Sequence, residues 1–214
     1  MYVNLNNSVK FDILVESILA TTEGPVVIVG GIHGDEPAGN IAAKKFNGKE
    51  GIIVIADVNT TGERRLDGVD PNRHFDKKDS LPVEDEILAK IEEVQPRLVI
   101  ALHEDDTTDE VYAYCSPGMK NKVQAVLAEL DVPLAKSAIG DKTDKGVIVR
   151  GHLPTAGTLE RALRKRNIPS VTIETPVESY SLEDRVKLQL RIVNGLLKQI
   201  NFHDTVKNLV DKSS

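Results

Sequence analysis

The chain alternates between short apolar runs and segments in which apolar residues recur at helical spacing. The apolar runs are rich in Val and Ile and are bounded by Gly, Pro or Asn, which predicts strands. The predicted strands are Phe11–Val15, Val26–Gly30, Ile52–Ala56, Leu98–Leu102, Val111–Cys115 and Ser170–Glu174. The predicted helices are Glu36–Phe46, Val83–Val94, Lys120–Leu130, Leu159–Arg166 and Leu182–Ile200. The last helix has the strongest pattern, because Ser181 and Asp184 form a capping-box pattern at its start.

This alternation predicts an α/β fold, with a mixed, mostly parallel sheet flanked by helices on both faces. Several strands are almost continuously apolar, as expected when helices cover both faces of a sheet. In such folds, ligands bind beyond the carboxyl ends of the strands. The segment Gly140–Leu159 is rich in Gly, Thr and charged residues, so we expect a long surface loop that acts as a lid or binding element.

Length and composition limit the classes of protein that remain. The chain has 214 residues and a formal net charge of -6, which fits one domain over residues 1–214. No basic cluster stands out, which argues against a nucleic-acid partner. The apolar runs are too short to cross a bilayer and the first ten residues carry none, so we expect a cytoplasmic protein without a membrane partner. The oligomeric state stays open.

The single cysteine excludes an intrachain disulfide. Cys115 lies in an apolar alternation with Val111 and Ala113, which predicts a buried structural residue rather than a nucleophile.

Two histidines follow predicted strands. The strand Val26–Gly30 leads through a glycine turn to His33 and Glu36, where a helix begins, and the strand Leu98–Leu102 ends directly in His103. Imidazole and carboxylate are ordinary zinc ligands, and three protein ligands leave a fourth position for water or substrate, as in catalytic zinc sites. Each residue alone is better explained as a polar loop residue. The combination makes a metal site an equal alternative.

Other polar patterns suggest weaker hypotheses. The acidic run Glu104–Asp106 could bind a hard cation, but consecutive side chains cannot all face one ion, so a solvated loop is the better interpretation. The glycine turn lacks the G-x-G-x-x-G pattern and the P-loop lysine, and Asp35 and Glu36 would repel phosphate. A phosphate-binding loop is therefore rejected.

Four motifs in order along the chain resemble the zinc carboxypeptidase superfamily, including its succinylglutamate desuccinylase and aspartoacylase branch. The segment 31–36 is similar to the first metal motif of that family, and the segment 65–75 is similar to its arginine and Asp-x-Asn-Arg segment. Leu102 with His103 is similar to the third ligand, and the segment 172–175 is similar to the strand that carries the catalytic glutamate. The resemblance covers roughly residues 26–200 and implies the same fold.

The resemblance implies one Zn²⁺ ion per chain, held by His33, Glu36 and His103. Asp70 would lie behind a zinc histidine and accept its second N–H, which is the usual arrangement at such sites.

The resemblance also implies the catalytic groups. Glu174 would be the general base and Arg65 would polarise the scissile carbonyl, while Asn72 and Arg73 would hold a substrate carboxylate. The chemistry of these side chains agrees, since a carboxylate can accept the proton of an attacking water and a guanidinium fork suits a carboxylate. Without the resemblance, a surface position for Glu174 and surface ion pairs for Arg64 and Arg65 would be the better interpretation.

The implied activity is hydrolysis of an amide or peptide bond next to a free carboxylate. The expected substrate is a small peptide, and the main alternative is N-acyl amino acid deacylation. A metallophosphoesterase is a remote alternative, because two-metal sites need more ligands than the chain offers. A catalytically inactive binding protein is the other remote alternative.

Two departures from the family pattern affect the expected pocket. Pro71 stands where the family usually has Leu, so the local backbone is expected to differ. A length of 214 residues leaves no room for the extra carboxyl-terminal domain of the aspartoacylase branch, so we expect a more open pocket that favours a peptide-like substrate. A phenol in the pocket would have to come from Tyr112, Tyr114 or Tyr180.

Overall fold

The computed structural model describes residues 24–138, 141–149 and 155–211, with side chains described up to residue 200. The predicted strand Phe11–Val15 lies outside the described residues. The strands are β1 Val26–Gly30, β2 Ile52–Ile55, β3 Leu98–Asp105, β4 Tyr112–Cys115, β5 Ser137–Ala138, β6 Asp141–Lys142, β7 Val147–Val149 and β8 Ser170–Pro176. The helices are α1 Pro37–Lys44, α2 Pro82–Val94, α3 Lys120–Ala128, α4 Leu159–Lys165 and α5 Leu182–Asp211, with 3₁₀ turns at Pro71–Arg73 and Pro117–Met119.

The main sheet has the strand order β2-β1-β3-β8-β4-β7. Strands β2, β1, β3 and β8 are mutually parallel, whereas β4 runs antiparallel to β8 and parallel to β7. The prediction of an α/β fold with a mixed, mostly parallel sheet is therefore confirmed. Because β1, β3 and β8 are parallel neighbours, their carboxyl ends meet at one edge of the sheet, which is where such folds bind ligands.

Two apolar layers cover the sheet. On one face, α1, α3 and α5 pack over residues that include Ile28, Ile100 and Ile173. On the other face, α2 and α4 pack over residues that include Val29 and Ala101. Side chains alternate between faces along a strand, so His103 lies on the α2 and α4 face and Glu104 lies on the opposite one.

Strand β3 is three residues longer than predicted. The prediction of a solvated loop over Glu104–Asp106 is wrong for the first two residues, which are buried at the end of the strand. Each buried carboxylate has polar partners: Glu104 accepts a hydrogen bond from the Ala38 amide, and Asp105 accepts one from the Tyr112 hydroxyl. Burial of charge is tolerated where it is paired, and sequence spacing did not reveal those partners.

The predicted surface loop Gly140–Leu159 is not loop throughout. It contains β6 and β7, and β7 extends the main sheet beyond β4. The β7 sequence Val-Ile-Val is β-branched, as strands prefer, but three residues are too short to give a periodic signal. Within the described residues, no helix is both long enough and apolar enough to cross a membrane.

Candidate active site

The end of β1 places His33 and Glu36 beside each other. Gly31 has a φ of 75° and turns the chain at the sheet edge, which Gly does without steric cost. Glu36 is the residue that precedes α1. The Nδ1 atom of His33 lies 2.6 Å from the Glu36 Oε1 atom, and both side chains are buried.

His103 reaches the same carboxylate from β3. Its Nδ1 atom lies 2.8 Å from the Glu36 Oε2 atom, and the centroids of the two imidazole rings are 5.1 Å apart. The three side chains offer ligand atoms that lie within 4.8 Å of one another. Two Nδ1 atoms and a carboxylate that converge in this way match the donor set of a divalent transition metal.

Asp70 lies behind His33, on the side away from Glu36. Its Oδ1 atom is 3.0 Å from His33 Nε2 and also accepts a hydrogen bond from the backbone N–H of Asn72. Burial alone would lower the pKa of His33, but hydrogen bonds to Asp70 and Glu36 raise it to about 9. A metal bound at Nδ1 would replace the proton there, and Asp70 would still accept from Nε2.

Glu174 projects from β8 opposite His103, with which it is in direct register. Neighbouring parallel strands lie about 4.8 Å apart, so the carboxylate belongs to the same site as the imidazole. Burial raises the pKa of Glu174 well above its usual value, against the opposing charge of His103. The carboxylates of Glu36 and Glu160 add to the rise.

The two adjacent arginines take different positions. Arg65 is exposed and donates to the Gly68 carbonyl in its own turn, so the structure does not bring it to the site. The Nη1 atom of Arg64 lies 3.2 Å from Glu36 Oε1, and Arg64 lines the cavity next to the imidazoles. The two arginines are adjacent in an irregular segment, and the sequence alone did not show which of them reaches the cavity.

Asn72 and Arg73 lie in a 3₁₀ turn that is held against the start of α4. The Leu159 amide donates to Asn72 Oδ1 at 2.9 Å, which leaves the Asn72 amide group as a donor. The backbone of Gly157 lies so close to Arg73 that an added Cβ would be 1.7 Å from the Arg73 carbonyl oxygen. Arg73 Nη1 donates to the Asn72 carbonyl, so the guanidinium is oriented within the cavity wall.

A cavity of about 310 Å³ connects these residues, which is at the small end of the about 300–1,000 Å³ typical of ligand sites. Tyr112 and Tyr114 line it, whereas Tyr180 is not among its lining residues. Cys115 is buried, as predicted, and burial raises the pKa of its thiol to about 12, so it is no nucleophile at neutral pH. The motifs missed three lining residues on α4 and just before it: Thr158, Glu160 and Arg164.

An ion pair under the site ties three elements together. Glu104 on β3 accepts from the Ala38 amide at 2.7 Å, near the start of α1, and forms a buried ion pair with Arg185 of α5. Arg185 also donates to the carbonyls of Val177 and Tyr180, in the segment that follows β8. The backbones that carry Glu36, His103 and Glu174 are therefore linked on the far face of the sheet.

Comparisons with known proteins show relationships only at the level of structure. No family model and no curated protein matches the chain. A candidate metallopeptidase from Shewanella amazonensis is 20% identical, with a TM-score of 0.69 over 83% of this chain and 77% of its own. A metallo-carboxypeptidase from Burkholderia cenocepacia is 11% identical, with a TM-score of 0.60 over 84% of this chain and 58% of its own.

A third structure represents the other branch of the expected superfamily. The succinylglutamate desuccinylase/aspartoacylase from Rhodobacter sphaeroides is 19% identical, with a TM-score of 0.57 over 83% of this chain and 56% of its own. The chain thus spans little more than half the length of this structure and of the carboxypeptidase. The described residues have the carboxypeptidase-like fold that these metallopeptidases share with the desuccinylase/aspartoacylase, as the sequence motifs predicted.

Proposed function

We propose that the protein is a zinc-dependent hydrolase that cuts an amide or peptide bond next to a free carboxylate. The observation that carries the proposal is the convergence of His33, Glu36 and His103 at a cavity in which Glu174 lies in register with His103. Two imidazoles and one carboxylate are a common ligand set of catalytic zinc. The cavity is large enough for an amino acid residue and its acyl group.

Each group has a distinct task in this reaction. Bound zinc would lower the pKa of a water molecule to about 7 and polarise a carbonyl group. Glu174 takes the proton of the attacking water and delivers it to the leaving amine, a role that suits a carboxylate of raised pKa. Arg64 places a positive charge beside Glu36, where it stabilises negative charge that develops on the carbonyl oxygen.

Two neighbouring donors account for the free carboxylate. The Asn72 amide group and the Arg73 guanidinium both line the cavity, and a planar guanidinium can bind a carboxylate through two hydrogen bonds. The hydrogen bonds that hold Asn72 to Leu159 and Arg73 to the Asn72 carbonyl keep both donors in place before substrate binds.

A substrate panel tests the proposal and separates its two forms. The zinc-loaded protein is incubated with short peptides, N-acetyl amino acids and N-succinyl amino acids, and release of free amine is measured. A peptidase should cleave the peptides. A deacylase, the second candidate, should cleave the N-acyl amino acids, which suit the small cavity. No amine release from any member of the panel would contradict both.

We predict that amidating the substrate carboxylate weakens the reaction. The loss of charge-assisted contacts to Asn72 and Arg73 should cost about 2–3 kcal/mol in kcat/KM. Arg73→Lys should cause a similar loss with the free carboxylate, because an ammonium group cannot reproduce the guanidinium fork. Equal kcat/KM for free and amidated substrates would show that the carboxylate is not recognised.

A matched pair of substitutions tests which arginine acts. Arg64→Ala should lower kcat/KM by about 10²-fold, the loss expected when one group that stabilises the transition state is removed. Arg65→Ala is the control and should leave kcat/KM nearly unchanged, since this side chain is exposed and bonded to its own turn. The reverse ranking in steady-state assays would contradict the assignment of Arg64 and restore the role that the sequence motif gave to Arg65.

A further inference from the structure

We propose that Glu160 binds a cationic group at the end of the substrate side chain, so that the preferred substrate carries a lysine- or arginine-like residue. This inference rests on the proposed function, because it places the substrate residue with the free carboxylate in the same cavity. Its basis is a carboxylate on the cavity wall that neither transfers a proton nor contacts the substrate carboxylate in the reaction described above.

The cavity runs down the α4 face of the sheet from the reacting groups. Ser170 and Glu174 of β8 both line it, and Thr172 lies between them on the same face, since side chains alternate along a strand. A strand rises about 3.3 Å per residue, so the level of Thr172 is about 6.6 Å below that of Glu174. On β4, Tyr114 is in register with Thr172 and also lines the cavity. The cavity is therefore deep enough for an extended side chain.

Glu160 is fixed at this level. It lies in the first turn of α4, and the Thr172 hydroxyl donates to its Oε1 atom at 2.5 Å. Among the described residues, no ion pair involves Glu160, and its Oε2 atom is left to accept from a ligand. Glu160 is half-buried in the cavity, so its carboxylate has lost part of its hydration. A bound cation would stabilise the negative charge and compensate for that loss.

The distance from the reacting groups to Glu160 determines which substrate side chains can reach this carboxylate. The four-carbon stem of lysine, when extended, covers about the distance between the levels of Glu174 and Thr172. Two residues before Thr172 on β8, about 6.6 Å deeper, the hydroxyls of Ser116 and Ser170 line the cavity and can accept hydrogen bonds from a longer guanidinium side chain. Arg164, one turn after Glu160 on α4, also lines the cavity. An acidic side chain is therefore the competing occupant, and the experiment includes it.

Binding of free amino acids tests the inference without relying on catalysis. Isothermal titration of the zinc-loaded protein with L-lysine, L-norleucine and L-glutamate compares three side chains of similar length. We expect lysine to bind about 10- to 100-fold more tightly than norleucine, the effect of one charge-assisted contact. Glu160→Gln should remove this preference, and Glu178→Gln, an exposed acid outside the cavity, is the control that should retain it. Equal affinities for lysine and norleucine, a preference for glutamate, or a lysine preference that survives in Glu160→Gln would overturn the proposal.

Hydrolysis of N-acetyl-alanyl peptides that end in the same three residues separates this inference from the proposed function. Cleavage with a lysine preference that depends on Glu160 supports both. Cleavage without that preference overturns the inference and leaves the hydrolase standing. Selective lysine binding through Glu160 without cleavage of any peptide supports the cation pocket and contradicts the peptidase.

Discussion

Replacing His103 with alanine should remove the bound metal. His103 is one of three converging ligand side chains and is buried, so no solvent-exposed group can take its place. Losing one of three protein ligands leaves only the pair His33 and Glu36, which is too few for a catalytic zinc site. Elemental analysis after dialysis should show about one zinc per chain in the wild type and almost none in the variant.

The control for this result is His74→Ala. His74 lies outside the cavity and pairs with the exposed Asp79, so its loss should leave the zinc content unchanged. Circular dichroism confirms that each variant is folded, and His103→Gln, which fills more of the buried space, gives a second test of the same ligand. Full zinc retention in folded His103 variants would show that the metal is not bound here.

Replacing Glu174 with glutamine should separate catalysis from metal binding. Glutamine keeps the shape of the side chain and leaves the three ligands in place, so the zinc content should remain near one per chain. It cannot accept a proton from water, and kcat should fall by a factor of about 10² to 10⁴. KM should change little, because Glu174 is assigned to proton transfer and not to substrate binding.

The same measurements distinguish the other roles that Glu174 could have. If the carboxylate were a fourth metal ligand, the variant would lose zinc together with activity. Glu178→Gln changes an exposed acid four residues further on and controls for the loss of one negative charge near the site. Normal turnover by a zinc-loaded Glu174→Gln enzyme would contradict the assigned mechanism.

The sequence predicted the parts of the fold that depend on local pattern. The continuous apolar runs of β1 and β3 gave their positions, and a parallel sheet then required Gly30 and Leu102 to meet at one edge, as they do. The placement of His33 and His103 beside one another follows from that register. The residues that directly follow β1 and β3 determine which side chains lie at this edge, and the sequence motif identified them.

The features that sequence did not reveal depend on contacts distant along the chain. Glu104 was expected in a solvated loop, but Arg185, which is 81 positions later in the numbering, makes its burial tolerable. Arg64 lies beside Glu36, whereas Arg65 bonds to the Gly68 carbonyl in its own turn. Glu160 enters the cavity because α4 packs beside β8, where Thr172 bonds to it. No local pattern encodes any of these pairings.

The most direct test of the account is a zinc titration of the metal-free protein while hydrolysis of a carboxylate-bearing peptide or N-acyl amino acid is followed. We predict that the rate rises in proportion to added zinc, reaches a plateau at one equivalent per chain, and stays at background in the His103→Ala variant. A protein that binds one equivalent of zinc at this site and releases no amine from any of these substrates would contradict the account.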